Sequence, residues 1–223
     1  MHKIWKAIPA VGFLLALTGI ASATPAGFSC TTTGDFLSIV DVPNSDGAGF
    51  AGPYGEICIS LVDGDTAFIQ AETFAPYGMV DGNSLALNFA GVVALNGAIT
   101  ADAGGPFSAT VGASQVDGLG KLNFHVSEQN ASVAATLLTF TVDRTDLGTR
   151  NNAGQVLVFN AAGFDAAMHV NVAGSNCGDS PCTFFAGENT EGTIIGETPE
   201  PAVLSLLGIG LLGMGFTVRR RNA

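Results

Sequence analysis

The four cysteines are the residues of this sequence most clearly suited to chemistry: Cys30, Cys58, Cys177 and Cys182. An even number of cysteines predicts disulfides in an exported chain, and four cysteines allow three pairings. The stretch from Cys177 to Cys182 is rich in turn formers, which favours the pairing Cys177–Cys182 and leaves Cys30–Cys58 as the second bond. A four-cysteine zinc site is disfavoured because the paired C-x2-C spacing is lacking.

Two carboxylates at a turn are the candidate metal ligands. Asp63 and Asp65 flank Gly64 and offer the hard oxygen donors that calcium prefers. The stretch does not complete the D-x-[DN]-x-[DN]-G loop of a calcium site, and turn chemistry explains it without an ion. We therefore expect a hairpin turn of the Asp-Gly type, keep calcium at Asp63 and Asp65 as the weaker alternative, and expect no other cofactor.

The residues that could support catalysis are sparse. His125 and His169 lie in alternating stretches, so we expect each to be a solvent-facing or capped polar residue. The sequence around Ser84 lacks the second glycine of a nucleophile elbow. A secreted glycoside hydrolase with paired carboxylates is a lesser alternative, because a mature domain with only Tyr54 and Tyr77 and no tryptophan is poor in rings for stacking on sugars. The prediction is a protein that is not an enzyme.

The N-terminus has the pattern of a secretory signal peptide. Lys3 and Lys6 precede an apolar run at residues 7–20, and Ala21 and Ala23 place small residues at the −3 and −1 positions of a cleavage site. A membrane anchor is disfavoured because the run falls short of the ~20 residues that a spanning helix needs. We expect residues 1–23 to be removed.

The C-terminus carries three features in a fixed order. These are Pro199-Glu200-Pro201, an uncharged run at residues 202–218, and Arg219-Arg220-Arg221. A helix over that run would be roughly 26 Å long and would just span a bilayer. The arginines should stay on the cytoplasmic side, so the preceding domain faces outward, in agreement with the exported N-terminus.

This arrangement resembles the PEP-CTERM sorting signal, over Pro199 to Arg221 only. The resemblance implies that an exosortase-type membrane enzyme of a Gram-negative bacterium processes the chain at or near the Pro-Glu-Pro. It also implies loss of the helix and delivery to the cell surface or to a polysaccharide matrix. An ordinary single-pass tail anchor is the alternative.

The composition limits the class of the domain that lies between the two terminal segments. The chain has 223 residues, 47% hydrophobic and 12% charged, with 30 glycines and a net charge of −11. A helical bundle is disfavoured because glycine is about twice as frequent as usual and charge about half. Nucleic acid is excluded as a partner because there is no basic surface to neutralise phosphates.

Short apolar segments separated by glycine or Asx-Gly breaks predict the strands of an all-β fold, among them the segments at 36–40, 85–95 and 156–160. We expect an antiparallel β-sandwich of jelly-roll or immunoglobulin-like type. The predicted organisation is a signal peptide at 1–23, the sandwich at 24–186, a stalk at 187–198, and the sorting signal at 199–223 with its transmembrane helix at 202–218. The predicted function is that of a non-enzymatic surface or matrix protein, with a calcium-dependent carbohydrate-binding or adhesive module as the alternative.

Overall fold

The computed structural model describes residues 30, 32–80, 83–129, 133–177 and 180–196, without the side chains of residues 176–177 and 180–181. The predicted signal peptide, sorting signal and transmembrane helix lie outside these ranges. Thirteen strands and two short 3-10 helices, Ser45–Gly47 and Ala153–Gln155, make up the described part. The strands are β1 (Phe36–Val40), β2 (Val42–Pro43), β3 (Gly55–Leu61), β4 (Thr66–Thr73), β5 (Tyr77–Met79), β6 (Leu85–Leu87), β7 (Val93–Ala101), β8 (Phe107–Val116), β9 (Gly120–Glu128), β10 (Leu137–Arg144), β11 (Ala166–Cys177), β12 (Ser180–Glu188) and β13 (Thr193–Ile194).

The strands form two antiparallel sheets packed face to face. One has six strands in the order β13-β1-β3-β4-β10-β7. The other has seven, in the order β2-β12-β11-β6-β9-β8 with β5 paired to β11. Every strand pair is antiparallel. The predicted all-β antiparallel sandwich is therefore confirmed.

Alternation of side chains along the strands creates the core between the sheets. In β4, Ala67, Ile69 and Ala71 are buried while the residues between them are half-buried, because successive side chains point to opposite faces. Burying a side chain such as Ile69 stabilises the fold by about 1.5 to 3 kcal/mol.

Strand β9 departs from simple alternation. The sequence predicts Leu122, Phe124 and Val126 on one face, and all three are buried. Phe124 and Val126 join the main core, but Leu122 packs into a second, smaller cluster. The pairing of β8 with β9 shifts register between Val111 and Ser114, opposite this point. Such a bulge adds local twist and re-aims the neighbouring side chains.

The Asp63-Gly64-Asp65 turn is a hairpin, as the sequence predicts. It joins β3 to β4, and the Val62 amide donates to the Thr66 carbonyl at 2.9 Å. Oδ1 of Asp63 accepts hydrogen bonds from the amides of Asp65 at 2.9 Å and Thr66 at 2.7 Å. This is the Asx-type turn that Asp favours, and it explains the residue without an ion.

Two predicted strands differ in the structure. The segment at 85–95 is not one strand: β6 ends at Leu87, β7 begins at Val93, and Gly91 between them has a φ of 84° that favours glycine. The segment at 156–160 makes only an isolated bridge, between Leu157 and Phe89. Both segments are apolar, but residues 88–92 connect β6 to β7, and residues 156–160 belong to the connection between β10 and β11.

Candidate functional site at the C-terminal edge of the sandwich

The C-terminal end of the described chain is fixed to the edge of the six-stranded sheet. In β13, Ile194 pairs with Phe36 and Thr193 with Leu37 of β1. The Ile195 amide then donates to the Asp35 carbonyl at 2.7 Å, and the Gly34 amide donates to the Ile195 carbonyl at 2.9 Å.

These contacts correct the predicted stalk. Residues 187–196 belong to the sandwich, since β12 continues to Glu188 and β13 follows at Thr193–Ile194. Glycine and glutamate in this stretch suggested a linker, but the β-branched residues at 193–195 provide a short edge strand. Only residues 197–198 of the predicted stalk lie outside the described part.

The disulfide between Cys30 and Cys58 lies beneath this edge. Its sulfur atoms are 2.07 Å apart, both cysteines are buried, and Leu37 and Ile195 pack against them. The predicted pairing Cys30–Cys58 is confirmed. Cys182 also takes part in a disulfide, but the side chain of its predicted partner, Cys177, lies outside the described part.

The disulfide also removes one potential metal site. Cys30, Asp35 and Cys58 form the single group of three metal-ligating side chains within reach of one another in the described ranges. Oxidised sulfur supplies no thiolate for a metal. The Asp35 carboxylate instead accepts hydrogen bonds from the Ser60 hydroxyl at 2.7 Å and from the Thr32 amide at 3.1 Å.

A pocket of about 410 Å³ opens beside β13 at the end of the sandwich. Its apolar wall consists of Phe36, Leu157, Val158, Phe159 and Ile194, and its polar lining comprises Asn152, Gln155, Asp165 and Glu191. Val158 and Phe159 remain 44% and 41% exposed. The volume is within the range of small-molecule sites, and a few polar groups in an apolar wall are typical of such sites.

Asp165 is the chemically unusual residue of this pocket. It is 3% exposed, and its Oδ1 is buried without a hydrogen-bond partner. Burial, and secondarily the Glu188 carboxylate on β12, raise the pKa of Asp165 to about 7. Burial also raises the pKa of Glu188, although the amide and hydroxyl of Thr190 donate to its Oε1.

A second buried acid lies on the six-stranded sheet. Glu56 of β3 is directly opposite Glu72 of β4, is 1% exposed, and has no hydrogen-bond partner for either carboxylate oxygen. Burial, and then the neighbouring Glu72, raise the pKa of Glu56 to about 7. The pKa of Glu72 is raised too, by burial and by Asp102.

The remaining predicted residues do not join these acids. The calcium candidates Asp63 and Asp65 stay in the β3–β4 turn, where calcium remains only a prediction. His125 is buried and does not face solvent: its Nε2 lies 2.8 Å from the Leu122 carbonyl, as expected of a capped residue, while its Nδ1 is buried without a partner. The ring of His169 stacks on Phe185 with centroids 4.4 Å apart.

Sequence reasoning missed Asp165, Glu188 and Glu56. The available signal was an acid next to an apolar run: Glu56 precedes Ile57, Asp165 precedes β11, and Glu188 ends β12. That signal alone does not distinguish a buried acid from one at a strand end that faces water.

Comparison with known proteins identifies the chain's C-terminal segment. Residues 197–221 match the PEP-CTERM protein-sorting motif. No curated protein and no solved structure matches the chain. The chain therefore carries a PEP-CTERM sorting motif, which implies an exported, membrane- or surface-associated protein processed by an exosortase.

The sorting residues themselves lie beyond the described ranges. This applies to Pro199, Glu200 and Pro201, to Arg219, Arg220 and Arg221, and to Ala21 and Ala23 of the signal peptide. Within the ranges that are described, no helix has both the length and the apolar character to cross a membrane.

Proposed function

We propose that this chain is a non-enzymatic structural or adhesive protein of the cell surface or extracellular matrix, delivered by cleavage at or near Pro199-Glu200-Pro201. The observation that carries the proposal is the sorting motif at residues 197–221. Export through the predicted signal peptide and disulfide formation by Cys30 and Cys58 fit the same destination.

The short distance from β13 to the motif limits where processing occurs. From Gly196 to Glu200 the chain has four residue steps, which reach roughly 14 Å when fully extended. The two prolines disfavour helix in this stretch. A membrane enzyme that cuts here must therefore work close to the sandwich edge formed by β13.

Replacement of Pro199, Glu200 and Pro201 by alanine tests the sorting proposal. We expect the triple variant to accumulate at full length, less only the signal peptide, in the membrane fraction of its own bacterium. Wild-type protein should appear as the shorter form on the surface and in the medium. Immunoblots of both fractions report the result.

Glu191→Ala is the matched control, because it removes an exposed acid upstream of the motif and should leave processing unchanged. Equal processing of the triple variant and the wild type would refute the proposed use of the Pro-Glu-Pro.

Two uncharged edge strands support a structural role. β7 ends the six-stranded sheet, β8 ends the seven-stranded sheet, and the two lie beside each other on one side of the sandwich. Neither strand contains Asp, Glu, Lys or Arg, and residues 110–115 of β8 are exposed. Proteins commonly protect such edges with charges, since unpaired strand edges are templates for pairing with another chain.

The partner that we propose for the edges of β7 and β8 is a second copy of the same chain. The net charge of −11 makes two copies repel each other over most of their surface. The two uncharged edge strands are where the copies can approach. Antiparallel pairing there would extend both sheets across the contact.

Lysine on both edges should abolish this association. We expect Thr100→Lys with Thr110→Lys to shift the protein toward monomer in light scattering at rising concentration, without loss of melting temperature, because both threonines are exposed. Thr149→Lys, at an exposed site outside both strands, is the control for the added charge. A wild-type protein that stays monomeric at about 1 mM would contradict the proposed contact.

A further inference from the structure

The pocket beside β13 combines three properties that define the ligand it would accept. Its lining includes two acids, Asp165 and Glu191, and no lysine or arginine. Its wall is mainly apolar, with the rings of Phe36 and Phe159 contributing to it. One carboxylate oxygen, Oδ1 of Asp165, is buried there without a hydrogen-bond partner.

An unpartnered buried carboxylate requires a physical explanation. Leaving such an acceptor without a donor costs about 1 to 3 kcal/mol, and more when the group is charged. The second buried acid, Glu188, lies close enough to Asp165 to disfavour its ionisation. A positive group in the pocket beside the Asp165 carboxylate would favour its ionised form and offset the repulsion between the two acids.

An inorganic cation fits this arrangement poorly. Calcium takes six to eight oxygen ligands and usually several carboxylates. In the described part of the chain, no group of three acids, or of acids with histidine, offers ligand atoms that converge at the pocket. The exposed Val158 and Phe159 would also gain nothing from a bare metal ion.

We propose that the pocket binds an organic amine, with its ammonium group against Asp165 and its carbon body against Phe159 and Ile194. The ammonium group donates to the carboxylate, and the aromatic rings favour a nearby cation as well as the carbon body. Glu191 at the exposed side of the pocket adds a second negative charge. This site is a property of the sandwich and does not depend on how the chain is sorted.

Calorimetric titration of the processed protein, purified from the cells that export it, tests the site. The probes are cadaverine, an amine with an aliphatic body, and glucosamine, an amine with a hydroxyl-rich body. Their uncharged counterparts are 1,5-pentanediol and glucose. We expect at least one amine to bind and its uncharged counterpart to bind at least about tenfold more weakly, since a hydrogen bond to a charged group contributes about 1.5 to 3 kcal/mol. Which of the two amines binds shows whether the pocket wall accepts an aliphatic or a hydroxyl-rich ligand.

Substitutions locate the binding. Asp165→Asn keeps the size of the side chain and should weaken amine binding at least about tenfold. Glu191→Gln, at an exposed residue, should weaken it about two- to fivefold. Glu72→Gln is the control, because it neutralises an acid outside the pocket whose pKa is also raised.

The proposal would be overturned if neither amine binds at millimolar concentration, or if the amine binds Asp165→Asn and wild type equally. Calcium binding at this site that displaces the amine would also overturn it, because it would identify a metal site instead.

Discussion

Raising the pH from about 5 to about 8 is expected to lower the melting temperature of the processed protein by about 10 °C. Most soluble proteins change little over this range. The two buried acids Asp165 and Glu56 are the reason, since the pKa of each is raised to about 7 in the folded state.

The direction follows from proton binding in the two states. In the unfolded chain these carboxyls lose their protons near pH 4, whereas in the folded protein they keep them until about pH 7. The native state therefore binds more protons over that interval, and the free energy of unfolding falls as the pH rises. From about pH 5 to 8 the loss is on the order of 2 to 3 kcal/mol for each acid.

Glu188 and Glu72, whose pKa values are also raised, act in the same direction, and the remaining groups change this slope little. The pKa of Asp63 and that of Asp146 are lowered, the latter to about 2 by hydrogen bonding to Arg144, so both acids are already ionised at pH 5. His125 acts in the opposite direction below about pH 6.5, because burial lowers its pKa. One buried histidine does not offset these carboxyls.

Asp165→Asn separates the effect of one acid from that of net charge. At pH 8 the variant should be more stable than the wild type by on the order of 2 kcal/mol, and at pH 5 the two should be similar. Asp63→Asn removes the same charge at an exposed turn and should leave the slope unchanged. Thermal unfolding by circular dichroism measures all three proteins, and a wild-type melting temperature that rises from pH 5 to 8 would contradict the account.

Loss of the Cys30–Cys58 disulfide is the second large effect expected. The bond links residues 28 apart, and closing a loop of that length stabilises a fold by about 3.5 kcal/mol through the entropy of the unfolded chain. The double variant Cys30→Ser with Cys58→Ser should lose about this much in chemical denaturation. Ile195 packs on the disulfide, so β13 should also become more accessible to protease than in the wild type.

Reduction of that double variant supplies the control. The predicted Cys177–Cys182 bond closes a much shorter loop and should contribute about 2 kcal/mol at most. Two losses of unfolding free energy are then compared: that caused by the double substitution, and that caused by reduction of the double variant. If the second loss is larger, Cys30–Cys58 is not the main stabilising bond.

The sequence was a good guide to the sandwich because its strands alternate. The segment at 36–40 predicts β1 with the same bounds, and Asp63-Gly64 predicts the first hairpin. It was a poor guide to the end of the sandwich. There, Gly91 interrupts an apolar run, the segment at 156–160 becomes a pocket wall, and residues 193–195 pair with β1 instead of forming a stalk.

The two candidate sites differ in how far sequence could predict them. The sorting motif is a local pattern, so Pro199, Glu200 and Pro201 identify it without a structure. The pocket is assembled from β1, the segment around Leu157, Asp165 and the β12–β13 connection, which are distant in sequence. Nothing local to Asp165 reveals that its carboxylate is buried, that Glu188 is close, or that the rings of Phe36 and Phe159 line the same pocket.

The intact mass of the native protein, recovered under oxidising conditions from the surface and medium of its own bacterium, tests the central claim most directly. We predict a mass that lacks residues 1–23 and the segment from about Pro199 onward, and that is lower than the reduced value by the four hydrogens of two disulfides. A mass that still includes residues 202–223 would make the C-terminal segment a permanent anchor and would contradict delivery to the surface or matrix by sorting.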